Sequence, residues 1–233
     1  MKIYIRFFAL LFSFILLFHL GIPVSADEYE NYVTESVPTQ EKEDFLNRIN
    51  FRLFETEVKN APFTCFAISD QGKIALGFDA SEEAEINVYN SAGQFLYGYR
   101  FLNNHCAFAV FFEGEELSIL WGRDRYIGSF SSEGNCLQFR KEITSKQNSD
   151  AYHTDRYRPT SGKVGNIQYY AEHSAGLSTS YTRFVVEDSS GNKNVIFEVN
   201  EDYYTRLTAI GIMGLVIFVL VAEVIIKNRK ARI

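Results

Sequence analysis

Between residues 63 and 143 apolar and polar positions alternate in short runs, broken at intervals by Gly, Asp and Ser. Alternation with a period of two puts successive side chains on opposite faces of an extended chain, so these runs predict β-strands. Four strands are expected at 63–69, 73–78, 85–90 and 94–101, and four more at 107–112, 116–121, 125–130 and 137–143. The two sets read as copies of one unit. Phe66 and Gly72 match Phe108 and Gly114 at an offset of 42, and Ile86, Tyr89 and Gly93 match Ile127, Phe130 and Gly134 at an offset of 41. A third, degraded copy is expected at 165–199, with alternation at 181–187 and 194–199 around Asp188-Ser189-Ser190-Gly191. That turn repeats the earlier Asn90-Ser91-Ala92-Gly93 and Ser131-Ser132-Glu133-Gly134, where Gly supplies positive φ and the first residue supplies a local side-chain bond.

Outside these units the pattern changes. Residues 49–58 have strand composition. Residues 27–47 are acidic and poor in large aliphatics, which predicts a flexible lead-in with a short helix near 40–47. Residues 144–162 are polar and of mixed charge, and read as a long loop. The 21 Phe and 14 Tyr, spread through the alternating runs, favour strands over helices.

The two ends differ in kind. Residues 1–26 carry Lys2 and Arg6, then an apolar run at 7–20, then Gly21, Pro23 and small residues, as in a secretory signal cleaved before Asp27. Residues 207–226 are apolar except for Glu223, which predicts one membrane-spanning helix, and Lys227, Arg229, Lys230 and Arg232 follow it. The positive-inside rule then places the tail 227–233 in the cytoplasm and the β domain, residues 48–205, outside the cell. The whole chain carries −6 and its two ends +2 and +4, which leaves −12 on the segment between. An acidic outer domain argues against nucleic acid as a direct ligand.

Four short strands recurring about every forty residues resemble the blades of a β-propeller. The resemblance covers units 63–101 and 106–143 well and 165–199 weakly. It implies an all-β, antiparallel, blade-like repeat domain. No Trp-Asp dipeptide closes a strand and no Gly-His opens one, so a WD40 blade is not indicated. Closed propellers have four blades or more. Three units therefore leave open a fourth blade completed by 49–58, an open stack, closure by another chain, and a β-sandwich or meander with evenly spaced hairpins.

Candidate chemistry is sparse. Cys65 and Cys106 begin the first strands of their units, which admits a disulfide between them or two buried thiols, with Cys136 left over. His105, His153 and His173 lack metal-ligand spacing. Asp188, Ser190, Asn192 and Asn194 alternate like a Ca²⁺ loop, but the Gly is misplaced and the closing acid is missing, so a hairpin turn accounts for them. Arg123-Asp124-Arg125 beside Trp121 reads either as a ligand-contacting tip or as a locally paired hairpin. Tyr152, His153, Arg156, Tyr157 and Arg158 form the candidate interaction loop, because Tyr and Arg dominate interface hot spots. Glu223 is a candidate intramembrane contact. No nucleophile, phosphate or dinucleotide motif appears. The expectation is a non-enzymatic protein without a metal or cofactor. It would be anchored by one span and bind a protein partner at the cell surface. The alternatives are an accessory subunit of a membrane complex and, behind that, an extracellular hydrolase.

Overall fold

The computed structural model describes residues 34–80, 82–103, 106–143, 159–173 and 180–200, together with Met213 and Ile217. Apart from Met213 and Ile217, these residues form one helix and fourteen strands. A short β1 (Thr34–Ser36) is followed by α1 (Thr39–Arg48) and β2 (Arg52–Phe54). Three four-strand meanders come next. The first is β3 (Cys65–Ile68), β4 (Ile74–Ala80), β5 (Glu83–Tyr89) and β6 (Phe95–Leu102); the second is β7 (Phe108–Glu113), β8 (Glu116–Trp121), β9 (Tyr126–Phe130) and β10 (Cys136–Glu142). The third is β11 (Ser161–Val164), β12 (Ile167–Glu172), β13 (Arg183–Glu187) and β14 (Lys193–Glu198). All pairings between these strands are antiparallel.

The first meander is the middle layer, and its alternation sorts side chains between two cores. Ala75, Ala84, Ile86, Val88, Tyr99 and Phe101 face the second meander, where they meet Phe108, Ile119, Trp121 and Phe130. Ile74, Leu76, Phe78 and Tyr89 face the third, where they meet Tyr169, Phe184 and Phe197. A sheet buried on both faces cannot spare polar alternate positions. β4 accordingly reads as a nearly continuous apolar run from Ile74 to Phe78, whereas β5 keeps Glu83, Glu85 and Asn87 on one face, paired with Arg52, Arg100 and Val58. The one fully buried amide on the third-meander side, Asn87, is satisfied: its Nδ2 donates to Val58 O at 2.9 Å and its Oδ1 accepts from Val58 N at 3.2 Å. Asn87 thereby pins the stretch between β2 and β3 across the sheet.

The hairpin chemistry repeats. Gly72, Gly93, Gly134 and Gly191 all have φ near +80° and each donates its N–H to the residue three before it, at 2.9–3.0 Å. Asn90, Ser131 and Asp188 open the last three turns, and each side-chain oxygen accepts from the two backbone N–H groups two and four residues on. Asp188 is therefore spent on its own turn, and the Ca²⁺-like alternation is a hairpin. Gly114 does not match Gly72 in geometry. The β7–β8 connection is a two-residue turn, as is the β11–β12 connection at Gly165, each with a positive-φ Gly in first place.

Three expectations are corrected. Residues 34–48 belong to the fold, because β1 pairs with β10 and Phe45 of α1 packs edge-on to Trp121 at 5.1 Å. The strand expected at 49–58 shortens to β2, because from residue 55 the chain leaves the sheet and runs to its Asn87 anchor. The expected loop 144–162 ends earlier, since Ser161–Val164 is already β11. Among the described residues no helix is long and apolar enough to cross a membrane. The span expected at 207–226 lies outside them, apart from Met213 and Ile217, which are helical and exposed.

Candidate functional site

Two features of the described residues are built to meet something else: a cleft at one end of the first two meanders, and a bare sheet edge on the third.

The cleft lies where the chain crosses from β6 to β7, beside the β8–β9 turn and the last residue of α1. Its volume is about 200 Å³. Ile49, Leu102 and Trp121 contribute apolar walls, and Arg48, Asn103, Cys106, Arg123 and Asp124 contribute polar ones. Asn103 is buried and braces the crossing: its N–H donates to Glu82 O at 2.8 Å, and its Nδ2 donates to the Cys106 carbonyl and, at 3.4 Å, to Asp79. The β8–β9 turn is held by Arg125, a non-glycine residue at φ +61°, whose N–H donates to Trp121 O at 2.8 Å. Its side chain turns away from the cleft toward buried Glu142, 3.6 Å away. The Arg123-Asp124-Arg125 run therefore divides. Asp124 pairs with Arg48 at 2.9 Å and Arg125 with Glu142, while Arg123 reaches Cys106 Sγ at 3.9 Å. Trp121 is no exposed tip: it is 4% exposed, and its Nε1 is buried with no hydrogen-bond partner among the described residues.

All three cysteines are unbridged. Cys65 and Cys106, for which the sequence admits either a bridge or two thiols, fall in two different places. Cys65 is buried between β4 and β7, where burial pushes its thiol up to about 12, whereas Cys106 lines the cleft. Matching positions in neighbouring meanders are not adjacent here, because the Cys65 side chain points into the core between the sheets.

The bare edge is β14. In the first meander the outermost strand, β6, is capped by β2 in the register Arg52↔Arg100 to Phe54↔Gly98. In the second, β10 is capped by β1 in the register Thr34↔Glu142 to Ser36↔Arg140. In the third, no described strand pairs with the outer side of β14, and the ladder ends in one bond from Asn200 N to Lys59 O at 3.0 Å. A bulge between Val195 and Phe197 turns Ile196 and Phe197 together toward the middle sheet. Lys193 and Val195 are left at the rim.

One polar cluster is structural. On the outer face of the second meander, Glu113 accepts from Ser118 Oγ at 2.6 Å, from Ser129 Oγ at 2.8 Å and from Arg140 Nη2 at 2.6 Å. Burial would raise the Glu113 carboxyl, but these hydrogen bonds and the Arg140 charge outweigh it and hold the group below its ordinary value. A depressed folded value contributes stability above the unfolded pKa that is lost as pH falls through the folded one. Arg140→Met should therefore unfold at lower urea than the parent protein at pH 7. The gap should narrow on acidification below roughly pH 4, as followed by urea midpoints across pH; a gap independent of pH would deny Glu113 this role.

Of the other candidates, Tyr152, His153, Arg156, Tyr157, Arg158 and Glu223 lie outside the described residues. His173 Nδ1 lies 2.8 Å from Ser180 O and its ring packs on Tyr181, which is a structural placement. Among the described residues no group of His, Cys, Asp and Glu is arranged to hold a metal ion. No protein-family model matches the chain, and no curated protein is detectably similar to it.

Proposed function

We propose that this is a single-pass membrane protein that presents its β domain outside the cell and binds another protein there, by accepting an extended segment on β14. The edge of β14, which no described strand caps, carries the reading. An edge strand presents a row of backbone N–H and C=O groups, and strand addition satisfies them with main-chain bonds while alternate side chains supply selectivity. The protein already caps its two equivalent edges with three-residue strands from its own N-terminal part. The domain would hold its ligand close to the membrane, because only residues 199–206 separate β14 from the expected span.

The reading is tested with a photo-crosslinking residue placed at Lys193, on the edge, or at Ser132, on a turn of the second meander, in intact cells. One recurring adduct from position 193 and none from 132 is expected. A synthetic copy of the linked peptide should then slow amide exchange across Lys193–Glu198. Adducts of equal yield at both positions, or a bound peptide that leaves exchange on β14 unchanged, would sink strand addition. A partner captured only when the crosslinking residue is moved into 201–206 would instead favour the accessory-subunit reading.

A further inference from the structure

The outward side of β14 has a symmetry of its own. Backbone direction is fixed at both ends of the strand. Asn192 O accepts from Asp188 N and Val199 N donates to Thr182 O, both at 3.0 Å and both toward the β13 side, while Asn200 N turns the other way, to Lys59 O at 3.0 Å. Alternation from these ends points the N–H and C=O groups of Lys193, Val195 and Glu198 away from β13. Their side chains share the face opposite the first meander, because Ile196 and Phe197 join Phe184 and Val186 on the other. Lys193 and Glu198 are five residues apart, an odd separation that puts them on opposite faces of a regular strand. The bulge between Val195 and Phe197 absorbs one residue and brings both to one face, at equal steps either side of Val195.

We propose that the strand added to β14 is β14 of a second copy of this chain, antiparallel, with the two-fold axis at Val195. This rests on β14 being an acceptor edge and names what it accepts. Val195 of each copy would bond Val195 of the other reciprocally, and Lys193 of each would lie opposite Glu198 of the other. Two opposite-charge pairs then flank an apolar centre. Glu198 is exposed, and Lys193 leans on Glu187 at 3.6 Å with its side chain still 59% exposed, so it can meet a second carboxylate without leaving the first. Beyond Glu198 the Asn200–Lys59 bond closes the edge, which keeps the ladder short. Such a ladder falls below the roughly 1,200 Å² of a stable soluble interface. Confinement of both copies to one membrane would supply the effective concentration that area does not.

Val195→Cys would be introduced into the full chain and oxidised with copper phenanthroline in the membranes of the cells that make it. A reciprocally bonded pair holds its Cα atoms about 5.5 Å apart, within disulfide reach. A disulfide dimer is expected that neither the parent chain nor Ser132→Cys forms. Adding Lys193→Glu or Glu198→Lys should each lower its yield about fivefold, since like charges then face each other twice. Co-expressed under different tags, those two charge variants should crosslink to each other as well as Val195→Cys does to itself, which also shows that neither is merely unfolded. The proposal is overturned by an absent Val195→Cys dimer, by charge variants that dimerise undiminished, or by variants that fail to rescue each other. A different protein captured at position 193, with no such dimer, would overturn the second copy and leave strand addition standing.

Discussion

Phe63→Ala is expected to cost about 3–5 kcal/mol, the range for emptying a fully buried aromatic site. Phe63 is completely buried at the seam between the first and third meanders, with its ring 5.3–6.3 Å from those of Phe78, Tyr181, Phe184 and Phe197. Its backbone is fixed as well, by reciprocal bonds with Tyr181 at 3.0 and 2.7 Å. The site therefore cannot collapse by moving the main chain, and the void persists. Since the loss lies between two sheets, the third meander should loosen first. Amide exchange in β13 and β14 should accelerate more than in β8 and β9. A variant that loses less than about 1 kcal/mol in urea unfolding, or that loosens all three meanders equally, would show that the seam is not held there.

Gly77→Val should cost about 3 kcal/mol or more, by the opposite mechanism. Gly77 lies on β4 opposite Cys65, and a Cβ there would sit 2.6 Å from the Cys65 sulfur and 2.8 Å from the Phe108 ring. Both neighbours are buried, so neither can swing aside without parting the first meander from the second. The comparison is Gly114→Ala, where a Cβ meets nothing within 4 Å and only the backbone at φ +63° resists. That change should cost about 1 kcal/mol. Urea midpoints for the two variants measure the contrast directly. Similar losses at both positions would mean that backbone conformation, not the close approach of β4 to β7, selects glycine at 77.

Most of the strands were legible because their signals are local. The alternation in 63–143 and the turn tetrads ending at Gly93, Gly134 and Gly191 are properties of adjacent residues, and the structure places strands and turns there. Where the reading failed, the deciding contact was distant. β1 has no apolar pattern of its own and is a strand because β10 offers it an edge more than a hundred residues away in sequence. The Gly72–Gly114 match is real as a spacing, but a three-residue and a two-residue turn can both place Gly at a positive φ, so identity did not reveal turn type. At the cleft, the run Trp121-Gly122-Arg123-Asp124-Arg125 drew notice in the sequence. Its partner Arg48 and its cleft neighbour Asn103 did not, since nothing local ties the end of α1 to a turn seventy-six residues on.

By itself, then, the sequence determined that this is an antiparallel β protein of repeated four-strand meanders. The period of side-chain alternation and the positive φ of turn glycines are set by covalent geometry and need no distant partner. Only the tertiary structure decided that the first meander lies between the other two, and that the Cys65 and Cys106 sulfurs point into different surroundings. It also decided which outer edges the described strands cap. Those outcomes depend on which faces meet, and that choice is made by summed burial across the whole chain, which no single stretch of residues records.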